Sequence, residues 1–197
     1  MAFVKNCAFE HRIGDRHEAD NITGRYQANS ADALCNAGHL VIRGNRKLNE
    51  GYGTGVYNEN AYVVTDALAA TVATTPIYAC NPYDVSLVHD GVTGGNFAIG
   101  ANTLGIPAPE GRDATYTLIR FNERDIYRFG VGNLSATLST NLYLTIANGQ
   151  LVPAAAAPTT AGLPYFKVVG TGNFTEGNQQ GGGYVDVVGY VSVASGN

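Results

Sequence analysis

The feature of this chain that most constrains its fold is a series of short apolar segments bounded by glycine, proline or asparagine. The segments are rich in valine, isoleucine, leucine and tyrosine, residue types that favour strands. They occupy residues 40–42, 61–65, 77–80, 85–88, 115–121, 142–146, 165–169 and 184–193. Residues 66–74 stay open between helix and strand, because alanines are mixed with threonine and valine. Roughly ten such segments predict a mainly β fold with a β-barrel or β-sandwich body.

One hairpin is predicted at the level of single residues. In residues 142–146 the three aliphatic side chains share one face, and Tyr143 and Thr145 share the other. Asn148-Gly149 follows directly, and this dipeptide favours the tight turns that join antiparallel strands. We therefore expect the returning strand to begin at Leu151.

The N-terminal part differs from the rest of the chain. Residues 1–29 are polar and charged, and their apolar residues follow neither a helical nor a strand period, which predicts an extended arm. Ser30 is suited to cap one short helix over residues 31–37, and Gly38 is suited to end it. The predicted organisation is an arm over residues 1–29 and a single β domain over residues 30–197.

The low charge of the chain bears on its partners. Charged residues make up only 14% of the chain, and the formal net charge is −4. An independent monomer usually carries more surface charge, so this composition favours a protein whose surface is partly covered by partners. A secreted β protein is the alternative. Nucleic-acid binding is not expected, because the densest positive stretch, Arg43 to Lys47, holds only three cations and is predicted to be a solvated turn.

Cysteine usage favours synthesis and folding in a cytoplasm. The three cysteines, Cys7, Cys35 and Cys80, form no CxxC pair, so we expect reduced thiols and neither a disulfide framework nor a zinc site. The first residues lack the apolar run of a signal peptide. No apolar stretch is long enough to predict a membrane span.

A metal site is the first chemistry to consider, because one segment concentrates histidines and carboxylates. Its members are Glu10, His11, Asp15, His17, Glu18 and Asp20. Their spacing matches no compact ligand set such as HExxH, and the segment is predicted to be irregular. We therefore interpret the cluster as a solvated, salt-bridging arm and predict no metal ligand.

Catalytic and cofactor patterns are also weak. His89-Asp90 beside Gly91 could form part of a triad, but no GxSxG nucleophile turn is present and a turn after a strand explains the pair. The glycine-rich segment 51–55 lacks the Lys-Ser/Thr of a P-loop and the order of a dinucleotide site. A glycosidase with paired carboxylates stays a third hypothesis, and the absence of tryptophan argues moderately against sugar binding. No catalytic residue and no cofactor is predicted.

The layout of the chain resembles the head decoration, or cement, proteins of tailed bacteriophages. The resemblance lies in a polar N-terminal arm, a body rich in glycine, alanine and threonine, and a final strand of valine and tyrosine. The segments that carry it are Ala8-Phe9-Glu10-His11-Arg12, Ala19-Asp20-Asn21-Ile22-Thr23-Gly24, Ala147-Asn148-Gly149-Gln150-Leu151-Val152-Pro153, Tyr165-Phe166-Lys167-Val168 and Thr175-Glu176-Gly177-Asn178.

The resemblance implies a virion structural protein without enzymatic activity. It would be made in the host cytoplasm, would bind the outer surface of the major capsid protein shell and would bridge neighbouring capsomers. It would be a homo-oligomer, expected to be a trimer, with no nucleic-acid or membrane partner. On this hypothesis residues 1–29 dock on the shell, and their deletion leaves the β body folded. The alternative is a receptor- or glycan-binding β module of a phage fibre or spike.

Overall fold

The structure is a computed structural model that describes residues 7–14, 21–48, 57–81, 107–108, 110–138, 142–173 and 182–193. It confirms a mainly β protein with a closed barrel. The strands are β1 Phe9–Ile13, β2 Asn21–Ala28, β3 Ala31–Asp32, β4 Leu40–Leu48, β5 Tyr57–Asp66, β6 Ile77–Cys80, β7 Ala114–Leu118, β8 Ile126–Gly130, β9 Tyr143–Ala147, β10 Gln150–Ala154, β11 Pro164–Asn173 and β12 Gly183–Val191. In the segment 66–74, where helix and strand were both open, Asp66 ends β5 and residues 69–74 form turns. The predicted strand over residues 85–88 lies outside the described residues.

The barrel consists of five strands in the order β2-β5-β4-β6-β7, and it closes because β7 pairs with β2. The β2–β5 pair is parallel, and the other barrel pairs are antiparallel. The remaining long strands form an antiparallel open sheet in the order β1-β8-β12-β11-β9-β10.

The prediction of an irregular arm over residues 1–29 is wrong for two segments. Phe9–Ile13 is an edge strand of the open sheet, and Asn21–Ala28 closes the barrel. The strand period is hidden at β2 because it carries Gly24 and Arg25 near its middle. Gly24 leaves room for a neighbour, since a Cβ there would lie 2.8 Å from Val64 Cγ1. The Arg25 guanidinium donates hydrogen bonds to the carboxylates of Asp113, at 3.0 Å, and Asp32, at 3.3 Å.

The predicted short helix over residues 31–37 is also wrong. Asn29 and Ser30 have φ angles of 52° and 64° and form a two-residue turn between β2 and β3. Such a turn needs positive φ at both central residues, which asparagine tolerates well. Ser30 therefore serves the turn and caps no helix. The predicted Asn148-Gly149 turn is confirmed, with φ angles of 50° and 72° and Leu151 opposite Ile146 in the returning strand.

Strand β6 and residues 40–42 of β4 pack on both faces, which explains their continuous apolar sequences. Ile77 and Ala79 of β6 pack toward the open sheet, whereas Tyr78 and Cys80 point into the barrel. Residues 40–42 of β4 alternate in the same way. The structure thus has two cores, one inside the barrel and one between the barrel and the open sheet. The second core is rich in aromatic side chains, namely Phe9, Tyr127, Phe129 and Phe166.

Two tyrosine hydroxyl groups in the barrel interior differ in their hydrogen bonding. The Tyr26 hydroxyl donates a hydrogen bond to Asp66 at 2.5 Å. The Tyr116 hydroxyl is fully buried, lies against the thiols of Cys35 and Cys80 and makes no hydrogen bond of standard geometry. A buried hydroxyl without a partner costs about 1–3 kcal/mol of desolvation.

We expect the substitution Tyr116→Phe to leave the free energy of unfolding unchanged or to raise it by up to about 1 kcal/mol, because it removes an unsatisfied hydroxyl. The matched substitution Tyr26→Phe should lower it by about 1–2 kcal/mol, because it removes a hydrogen bond to a carboxylate. Urea unfolding of both variants measures the difference. Equal destabilisation by the two substitutions would contradict this account of the barrel interior.

Candidate binding face

The candidate site is the outer face of the open sheet, the face that points away from the barrel. Strand alternation defines it, because Val185 and Val187 of β12 enter the core. The even-numbered residues Tyr184, Asp186 and Tyr190 of the same strand lie on the opposite face.

Three tyrosines on neighbouring strands form a row on this face, which we call the tyrosine ladder. Tyr165 of β11 is paired with Tyr190 of β12, and their rings stack with centroids 5.6 Å apart and planes inclined by 19°. Tyr143 of β9 lies on the other side of Tyr165, with centroids 6.1 Å apart. All three side chains are partly exposed. Ring stacking holds the ladder in one arrangement, so that it would lose little conformational entropy on binding.

Exposed aliphatic residues lie near the ladder in sequence. Leu142 and Val191 directly adjoin Tyr143 and Tyr190 and are 55% and 48% exposed, but strand alternation directs them to the opposite face of the sheet. Val169, after the last β9 contact of β11, is also exposed, and Val193 is 82% exposed. The ladder therefore rests on its three tyrosine rings, a side-chain type that is enriched at protein-binding surfaces.

The other half of the outer face is charged and internally paired. Arg128 of β8 donates two hydrogen bonds to Asp186 of β12, at 2.7 and 2.8 Å. The Arg128 guanidinium also lies 3.5 Å from the ring centroid of Tyr184. The hydrogen bonds to Asp186 raise the pKa of Arg128. Because these charges already satisfy one another, this half offers little free charge to a ligand.

The structure describes only part of the cluster of histidines and carboxylates that the sequence analysis considered as a metal site. His11 is in β1, stacked on Tyr127 with centroids 4.8 Å apart, and its Nε2 lies 3.8 Å from Asp125. The Glu10 carboxylate lies 3.8 Å from the Arg12 guanidinium. The other members, Asp15, His17, Glu18 and Asp20, lie outside the described residues. Among the residues that are described, no group of three or more His, Cys, Asp or Glu side chains is arranged to hold a metal ion.

The remaining sequence candidates have different outcomes. His89, Asp90, Gly91 and the glycine-rich segment 51–55 lie outside the described residues. Arg43 and Arg46 are in strand β4, so the predicted turn is wrong there. Their guanidinium groups lie 5.1 and 5.9 Å from the ring centroid of Tyr62.

A polar network at the end of the barrel has no clear signature in the sequence. His39 is 3% exposed, and its Nε2 lies 2.7 Å from Asp66 Oδ1. The hydrogen bond from His39 lowers the pKa of Asp66, and the one from Tyr26 acts in the same direction. A cavity of about 210 Å³ adjoins His39 and Cys7. The combination resembles part of a nucleophilic site, but burial raises the Cys7 pKa to about 12, so the thiol stays protonated and is not activated.

Comparisons with known proteins add no relationship. No protein-family model, curated protein or solved structure matches this chain. Within the described residues, no helix has the length and apolar character needed to cross a membrane.

Proposed function

We propose that this protein is a head decoration, or cement, protein of a tailed bacteriophage. In this proposal it has no enzymatic activity, and the outer face of its open sheet binds the outer surface of the major capsid protein shell. The observation that carries the binding role is the tyrosine ladder on the outer face of the open sheet. The resemblance in sequence layout directs the proposal to a capsid partner.

The physical properties of the outer face favour a protein partner. Tyrosine supplies a large apolar area with a polar tip and loses little rotamer freedom when it binds. The charged half, with Arg128 and Asp186 already paired, adds little to binding and limits unspecific contacts. Many copies on one shell, each with a modest interface, would together stabilise the particle, because binding to the assembled state shifts the equilibrium toward that state.

Tyr165 provides the sharpest test, because it contacts both other members of the ladder. In co-sedimentation with empty phage shells, we expect Tyr165→Ser to weaken binding by about 10- to 100-fold, the usual range for a central interface tyrosine. The matched control is Tyr62→Ser, which removes a partly exposed tyrosine from the barrel and should leave binding within about twofold.

The result distinguishes the proposal from its alternatives. Equal binding by the wild type and Tyr165→Ser would exclude the ladder as the interface. Absence of binding to shells, together with binding to host-cell glycans, would favour a receptor-binding module of a fibre or spike. Sedimentation of the free protein tests the expected homo-oligomer, which by resemblance is a trimer.

A further inference from the structure

Two of the three cysteines meet inside the barrel. Cys80 ends β6, and Cys35 lies in the segment after β3, where it forms an isolated bridge with Ala108. Both residues are fully buried. The Cys80 thiol lies 3.8 Å from the Cys35 carbonyl oxygen.

We propose that Cys35 and Cys80 are a latent disulfide pair, which is reduced in the closed barrel and which a small disulfide oxidant converts into a cross-link. The cross-link would join the segment around Cys35 to strand β6. This inference does not depend on the proposed capsid role.

The pairing follows from the surroundings of each thiol. The Cys80 thiol contacts the backbone of Cys35, whereas Cys7 lines the cavity beside His39. The segment around Cys35 is also held beside the end of β6, because the Gly38 amide donates to the Cys80 carbonyl at 2.7 Å. A disulfide requires two cysteines whose backbones lie close together, and the 3.8 Å approach of the Cys80 thiol to the Cys35 carbonyl oxygen meets this requirement in kind.

Burial explains why the pair is stable as two thiols. A thiol must become a thiolate before it attacks a disulfide, and burial raises the pKa of Cys35 well above its usual value. Even a small disulfide such as glutathione disulfide cannot reach a fully buried sulfur. Oxidation should therefore need a transient opening of the barrel, and its rate should follow the frequency of that opening.

The chemical step with glutathione disulfide is balanced. One of the two cysteine thiolates attacks a glutathione sulfur, breaks its S–S bond and releases one glutathione. The second cysteine thiolate then attacks the protein sulfur of the mixed disulfide and releases the second glutathione. The two thiol protons of the protein end on the two glutathione molecules, and the two cysteines are oxidised.

The test uses the full chain, purified with reductant and then incubated with glutathione disulfide with and without a low concentration of urea. Thiols are then alkylated in denaturant and counted by mass, and linked peptides are mapped. We expect one alkylated thiol, Cys7, a linked Cys35–Cys80 peptide, and faster oxidation with urea. The cross-link closes a loop of 45 residues, so Tm should rise by about 5–15 °C.

Single-cysteine variants separate the possible pairings. Cys7→Ala should still oxidise and gain the rise in Tm, whereas Cys35→Ala and Cys80→Ala should gain neither. A linked peptide that contains Cys7, a stable glutathione adduct, or three alkylated thiols after treatment in urea would overturn the proposal. Failure of shell binding would leave this result unaffected, so the two proposals can fail separately.

Discussion

Deletion of residues 1–28 is expected to unfold the protein and not merely to prevent docking. The deletion removes β2, which pairs with β5 on one side and with β7 on the other and so closes the barrel. It also removes Tyr26, a fully enclosed side chain of the barrel core. Loss of a strand that pairs on both sides leaves two exposed edges and an open core, which a domain of this size does not tolerate.

A shorter deletion separates this effect from the loss of the edge strand. Deletion of residues 1–14 removes β1, which pairs only with β8, and the core residue Phe9. We expect this variant to remain folded but to lose about 3–5 kcal/mol of unfolding free energy, as for removal of a buried phenylalanine.

Circular dichroism and urea unfolding of the two deletions measure the difference. A cooperative unfolding transition in the variant without residues 1–28 would show that β2 is dispensable and would restore the idea of a separable N-terminal arm. The corrected expectation also changes how a binding experiment is interpreted. Failure of this deletion variant to bind shells would report loss of the fold, so the side-chain substitution Tyr165→Ser is the better test of docking.

Most strands after Leu40 could be predicted because their burial leaves a local signature, but β8 was missed. Strand β6 and residues 40–42 of β4 lie between the two cores, so every one of these positions is apolar, and strand β9 has one buried face, so its residues alternate. Strand β1 has no such signature. His11 and Glu10 fall among its five residues, and His11 is held against Tyr127 by tertiary contacts that the sequence does not display.

The candidate site could be predicted only in part. The abundance of tyrosine in the sequence indicates an interface, but the ladder depends on strand order. Tyr143, Tyr165 and Tyr190 are far apart in the chain, and they meet because β11 lies between β9 and β12. The His39–Asp66 pair also depends on tertiary structure, since 27 residues separate its members. Such non-local pairings have no spacing rule in a single sequence.

Gly149→Ala is expected to cause the largest loss of stability of any single substitution considered for this protein. Gly149 has a φ of +72°, and a Cβ there would lie 2.1 Å from His39 Nε2. The His39 ring would have to move and would lose its hydrogen bond to Asp66. The turn is also tied to the barrel, because the Gly149 amide donates to Ala67 and its carbonyl accepts from Leu40. Backbone strain of about 1–2 kcal/mol and overpacking of about 1–3 kcal/mol together predict a loss of about 3 kcal/mol or more.

Gly162→Ala is the matched control, because Gly162 has a φ of +81° and no atom lies within 4 Å of its hypothetical Cβ. It should cost only the backbone strain, about 1–2 kcal/mol in urea unfolding. The double variant Gly149→Ala/His39→Ala identifies the cause of the difference. Removal of the imidazole should relieve the clash, so the combined loss should be smaller than the sum of the two single losses by about 1–3 kcal/mol. Additive losses would mean that the turn itself, and not its contact with His39, requires glycine.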